Sequence, residues 1–125
     1  AWGGCGRVGG VEAPDAGPLV LVRAGCGSDG HTASRFPGRP AVGERDRLVA
    51  AVPEAGLDPY VPRVSLTVPA LVRARQIVFL VSGASKAAAV ERSFRAEPSS
   101  TPAGVVAQQA HGRVTVLLDS AAAGS

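Results

Sequence analysis

Asp29-Gly30-His31-Thr32-Ala33-Ser34-Arg35-Phe36-Pro37-Gly38 follows an apolar run, Leu19-Val20-Leu21-Val22, and a glycine-rich turn, Gly25-Cys26-Gly27-Ser28. A short continuous apolar run bounded by glycines suits a strand buried on both faces of a parallel sheet. A strand that feeds a glycine turn presents the next residues at the carboxyl edge of its sheet, where open α/β folds bind ligands. Those next residues hold His31, whose side chain exchanges its proton near neutral pH. The segment reads as a strand–loop–helix site built around one histidine, with Thr32 and Ser34 in the first helical turn.

Outward from this segment, strands and helices alternate. Residues 76–82 form a second apolar run suited to a buried strand, and residues 64–68 alternate in a shorter strand that stops at Pro69. Residues 69–75 suit a short helix with proline at its first position. Ser82-Gly83-Ala84-Ser85 opens an alanine-rich helix to about Arg95, closed by Pro98. Residues 98–112 read as a loop with a brief strand at 104–107. Residues 114–118 make a last strand, after which Asp119 caps a short helix of alanines. Residues 39–62 carry four prolines and hold one strand, at 48–52, between long loops. The alternation predicts an α/β fold, an open and mostly parallel sheet with flanking helices in a Rossmann-like three-layer arrangement. Residues 19–125 are expected to form this body. Residues 1–18 hold six glycines and two prolines with no apolar period, which predicts a loose arm.

Composition narrows the function. The 125 residues fit one domain with its own core. The net charge of +3 comes from arginines scattered singly, with Lys86 the only lysine, and with few aromatics this gives nucleic-acid binding no support. Cys5 and Cys26 form neither a metal-type pair nor a Cys-x-x-Cys motif, which points to a reduced, cytoplasmic setting. No apolar run reaches the ~18 residues that span a membrane. Gly25-x-Gly27-x-x-Gly30 after a strand matches the dinucleotide fingerprint, and Glu54 follows at a tolerable distance. The Asp-Gly-His and Phe-Pro-Gly continuation interrupts the long helix that a dinucleotide unit needs, so no dinucleotide is expected.

The block Gly25 to Gly38 resembles the 6-phosphogluconolactonase family, whose signature runs Gly-x-Gly-x-Asp-Gly-His-Thr-Ala-Ser-Leu-Phe-Pro-Gly. Two further blocks are similar to the same family: Pro62-Arg63-Val64-Ser65-Leu66-Thr67-Val68-Pro69-Ala70-Leu71 followed by Ile77–Ala87, and Val116-Leu117-Leu118-Asp119 with Ala121 and Ala122. The resemblance covers residues 19–123 and implies the C-terminal half of a sugar-phosphate isomerase-like domain, truncated at its N-terminal side. Arg35 stands where the signature has an apolar residue, Val72 where the family has asparagine, and Arg23-Ala24 lengthen the link to the glycine loop. A glucosamine-6-phosphate isomerase/deaminase shares the Asp-Gly-His core but continues with a glutamate; Ser34-Arg35-Phe36-Pro37-Gly38 holds no carboxylate.

The resemblance implies hydrolysis of 6-phospho-D-glucono-1,5-lactone to 6-phospho-D-gluconate, with no metal or redox cofactor. His31 suits a general base that activates water, the role that the resemblance also implies for it. Asp29 either orients His31 or ties down the glycine loop through backbone N–H groups. Gly25, Gly27 and Gly30 supply close backbone approach, and their amides can hold an anion or a developing oxyanion. Thr32 either caps the helix or touches substrate. Lys86, in the first turn of a helix after a strand, suits a phosphate anchor, and the resemblance implies the same. Arg63 either meets the phosphate or pairs with a carboxylate. His111 sits in a polar loop without a motif. The alternative is a non-catalytic piece of the family, in which a halved sheet leaves an edge exposed for self-association.

Overall fold

The structure, a computed structural model, describes residues 18–125. The expected arm over residues 1–18, with Trp2 and Cys5, lies outside them save for Pro18. The described chain runs β1 (Leu21–Ala24), a 3-10 turn (Pro40–Gly43), β2 (Val49–Val52), β3 (Arg63–Leu66), α1 (Val68–Val72) and β4 (Gln76–Val81). It continues through a 3-10 turn (Ala84–Lys86), α2 (Ala87–Val90), a π turn (Glu91–Arg95), α3 (Pro102–Gln109), β5 (Val114–Leu118) and α4 (Ser120–Ala123).

β1, β4 and β5 form a parallel sheet in the order β1-β4-β5, with Val22 opposite Ile77 and Phe79 opposite Val116. The mostly parallel sheet flanked by helices is therefore as the alternation predicts. Its central strand alternates strictly. Ile77, Phe79 and Val81 point into one core with Val68 and Leu71 of α1, Val90 of α2, Val106 of α3 and Ala122 of α4. All four helices thus cover the same face. The opposite face keeps Leu21, Leu80 and Leu117 about half exposed, so the expectation of strands buried on both faces, and of a third layer, is not met among the described residues. Parallel sheets are ordinarily covered on both sides, and the described residues leave one side open.

β2 and β3 pair antiparallel as a separate ribbon, Val49 opposite Leu66. Its small core of Phe36, Val52 and Ala55 stands beside the main one. The two cores are bridged by the segment that follows β1, which is what sets up the site.

Two expectations are corrected. Residues 98–112 hold no strand; they hold α3, whose first turn is closed by the Thr101 side chain accepting from Gly104 N–H, with Pro102 at the first position. Val105-Val106-Ala107 looks β-branched in sequence, but Ala103, Val106 and Ala110 recur at helical spacing on the buried side. Nor does a helix follow His31. Residues 32–35 make a tight turn closed by Arg35 N–H to Thr32 O at 3.1 Å, with Ala33 in the left-handed region at φ 51°. The expected helix after Ser82 is real, though it changes pitch twice on its way to Arg95.

Candidate active site

The loop after β1 is wound around His31. Gly27 N–H donates to His31 O at 2.8 Å and Gly30 N–H to Gly27 O at 2.9 Å. Asp29 closes the loop from the side: its Oδ1 accepts from His31 N–H at 3.0 Å and lies 2.6 Å from His31 Nδ1. The alternatives for Asp29 are therefore not exclusive, since one carboxylate oxygen ties the loop and meets the ring. Burial alone pushes this carboxyl up, but the hydrogen bonds and charge of His31 together hold it below the ordinary 3.8. The ring also rests against Phe36, 4.8 Å between centroids, and keeps 21 % of its side-chain surface open. Gly27 leaves the ring its room: a Cβ there would lie 2.0 Å from His31 Nδ1. The Gly27 and Gly30 N–H groups, expected to serve an anion, both donate inside the loop here. Gly25 is exposed, with open space beside it.

Lys86 comes to the same edge from the neighbouring strand. β4 ends at Val81, and Gly83, at φ 95°, turns the chain into Ala84–Lys86. Both oxygens of Asp119 accept from Gly83 N–H, at 3.1 and 3.0 Å, while its Oδ1 also accepts from Ala122 N–H at 2.7 Å. Asp119 thus does more than cap α4: it pins the turn that carries Lys86. Replacing Asp119 by Ala removes both sets of bonds and should lower stability by about 1–2 kcal/mol; thermal melting of the variant checks this, and an unchanged Tm would count against the pin. Lys86 is half-buried and forms no ion pair among the described residues. It and Asp29 both lie near enough to Cys26 for their charges to act on its thiol, which burial pushes up.

The other expected residues are placed differently. Thr32 is buried and its hydroxyl has no partner among the described residues, so substrate contact would require the turn to open. Arg63 meets no carboxylate among the described residues; its Nη2 donates to Pro59 O at 3.0 Å and its guanidinium lies 5.6 Å from the Phe36 ring centroid. His111 is exposed just after α3. Two further arginines stand close by: Arg92, which the sequence did not mark, and Arg35, which it marked only as a departure from the signature. Arg92, aimed by the π turn, donates from Nη2 to Ser28 O at 3.2 Å. Arg35 is fully buried, with Nη1 donating to Leu66 O at 2.7 Å and Nε and Nη2 left without partners among the described residues. Among the described residues no group of His, Cys, Asp and Glu could hold a metal ion, and no helix is long and apolar enough to cross a membrane.

Comparison with known proteins gives this edge its context. The family profile described as glucosamine-6-phosphate isomerases/6-phosphogluconolactonase matches residues 12–116. A 6-phosphogluconolactonase of Rattus norvegicus is 40 % identical over 103 residues, covering 82 % of this chain and 39 % of that protein. One from Synechocystis sp. is 41 % identical over 114 residues, covering 90 % of this chain and 45 % of its own length. The solved 6-phosphogluconolactonase from Trypanosoma cruzi superposes with a TM-score of 0.74 at 33 % identity, over 86 % of this chain and 41 % of the other. The chain therefore spans less than half the length of these relatives.

Proposed function

The chain belongs to the glucosamine-6-phosphate isomerase/6-phosphogluconolactonase family, and from that premise we propose that it opens 6-phospho-D-glucono-1,5-lactone to 6-phospho-D-gluconate. His31 is the general base and Lys86 the phosphate anchor. The observation that carries this reading is the 2.6 Å contact between His31 Nδ1 and Asp29 Oδ1. A carboxylate only accepts, so Nδ1 holds the proton and Nε2 is the basic nitrogen of a partly open ring. Nε2 takes a proton from water as the oxygen attacks C1 of the lactone. The tetrahedral oxyanion then collapses, the bond from C1 to the ring oxygen breaks, and the imidazolium returns its proton to that oxygen. The new carboxylic acid ionises, so one lactone and one water give one carboxylate and one proton.

Within the family, lactone opening is favoured over amino-sugar isomerisation because residues 34–38 contain no carboxylate to assist ring opening of an amino sugar. The second reading, a non-catalytic piece that associates through its open sheet face, rests on the half-exposed Leu21, Leu80 and Leu117 and on the share of the relatives' length that the chain spans.

The phosphate anchor separates the two. The chain should open the phosphorylated lactone with a higher kcat/KM than glucono-1,5-lactone, which lacks the phosphate. Lys86→Ala should raise KM for the phosphorylated lactone about 10- to 100-fold, the worth of a hydrogen bond to a charged group, and leave the unphosphorylated one unaffected. Equal kcat/KM for both lactones would overturn the proposal.

A further inference from the structure

Behind the His31 loop lies a buried cluster of hydroxyls that the proposed reaction does not use. Thr101 Oγ1 donates to Ser93 Oγ at 2.8 Å, lies 3.1 Å from Ser99 Oγ, and accepts from Gly104 N–H at 3.1 Å. Ser99 Oγ donates to Arg92 O at 2.7 Å, and Cys26 Sγ lies 3.8 Å from Ser93 Oγ. Ser93, Ser99 and Thr101 are all at least nine-tenths buried. Four side chains from the glycine loop, the π turn and the start of α3 are thereby locked together.

The lock bears directly on His31. Ala103 N–H, in the first turn of α3, donates to Gly30 O at 3.0 Å. That carbonyl belongs to the same peptide unit as His31 N–H, which Asp29 Oδ1 accepts at 3.0 Å. The peptide plane before the proposed base is therefore held at both ends, by α3 on one side and by Asp29 on the other. Contact is close as well: Gly30 sits at φ 88°, and a Cβ on it would lie 2.7 Å from Thr101 Cβ and Cγ2. Thr101 is the only member of the cluster that both caps α3 and touches Gly30.

We propose that Thr101 is a positioning residue for His31: through α3 it fixes the Gly30–His31 peptide and so keeps His31 Nδ1 on Asp29. This rests on the lactonase reading for its kinetic consequence but not for its structural one. Thr101→Val keeps the shape and removes the hydroxyl. With the helix cap and the Ser93 bond gone, the ring should sample other orientations, and misplacement of a reacting group by about 1 Å costs up to roughly 100-fold.

The test pairs kinetics with the ring itself. In Thr101→Val, kcat for the phosphorylated lactone should fall about 10-fold or more with KM within about twofold, and Thr101→Ser should restore it. Imidazole nitrogen NMR, simplified by there being only His31 and His111, should show His31 as the Nδ1-protonated tautomer in the wild type and the Ser variant and as a mixture in the Val variant. Val106→Ala, which opens the core on the same helix, should lose stability while leaving kcat and tautomer alone. An unchanged His31 signal in Thr101→Val overturns the proposal. A shifted signal in a chain that turns over no lactone supports it and removes the lactonase reading instead. If Thr101→Val does not fold, Ser99→Ala takes its place: it removes the oxygen that accepts from Thr101 N–H at 3.3 Å, and a tautomer identical to wild type would again overturn the proposal.

Discussion

His31→Ala should return the rate of lactone opening to that of buffer. Removing a positioned general base costs about 100- to 10,000-fold, and no other imidazole can substitute, because His111 lies in the exposed turn after α3. On the proposed reading the loss should be in kcat, since the phosphate would be held by Lys86, after β4, and not by the His31 loop. Asp29→Asn should give an intermediate loss: the amide still accepts from His31 N–H, but it no longer carries the charge that stabilises the imidazolium formed during attack. His111→Ala should match the wild type. Global unfolding is not expected to explain the loss, because the ring is only partly buried and its principal apolar contact, Phe36, remains anchored with Val52 and Ala55. Circular dichroism of the variant checks that point, and a His31→Ala chain with wild-type turnover would place the base elsewhere.

The largest effect on stability is expected in the opposite direction, from Arg35→Leu. Arg35 is buried with two of its donors unpartnered. Burial pushes its pKa down and the like charge of Arg45 adds to this, with Glu44 only partly offsetting them. At neutral pH the guanidinium stays charged, so the cost of burial falls wholly on the folded state. Leucine is of similar volume, removes both orphaned donors, and leaves Leu66 O still served by the Ser65 hydroxyl at 3.2 Å. A gain of about 1–3 kcal/mol is expected, equivalent to several degrees in Tm for a chain of this size. A fall in Tm would mean that the bond to Leu66 O outweighs the buried charge.

Much of this architecture is legible in the sequence because the strongest signals are local. Ile77 to Val81 and Val114 to Leu118 are apolar runs of strand length, and they pair as the parallel core of the sheet. Asp119 before a run of small residues announces a cap, and it caps. The glycine loop with Asp29 and His31 two residues apart is likewise local, and the turn brings their side chains together. What escapes the sequence is long-range or depends on pitch. The helix at Pro102–Gln109 hides behind β-branched valines, although Thr101-Pro102 is a legible start signal. The turn after His31 is fixed by bonds to β3, Ser34 N–H to Ser65 Oγ and Arg35 Nη1 to Leu66 O, which no local pattern shows. The inward use of the Gly27 and Gly30 amides follows from the closure of the loop on His31. Arg92 reaches Ser28 only because a π turn re-aims a helix that the sequence draws straight.

On the proposed reading, this chain alone would bring a base and a phosphate anchor to one edge of its sheet and open the lactone there. Freshly prepared 6-phosphoglucono-1,5-lactone should be mixed with the purified chain and acid release followed, with the spontaneous rate subtracted. An added rate proportional to chain concentration and saturable in lactone is expected. A rate equal to that of buffer at every chain concentration would contradict it.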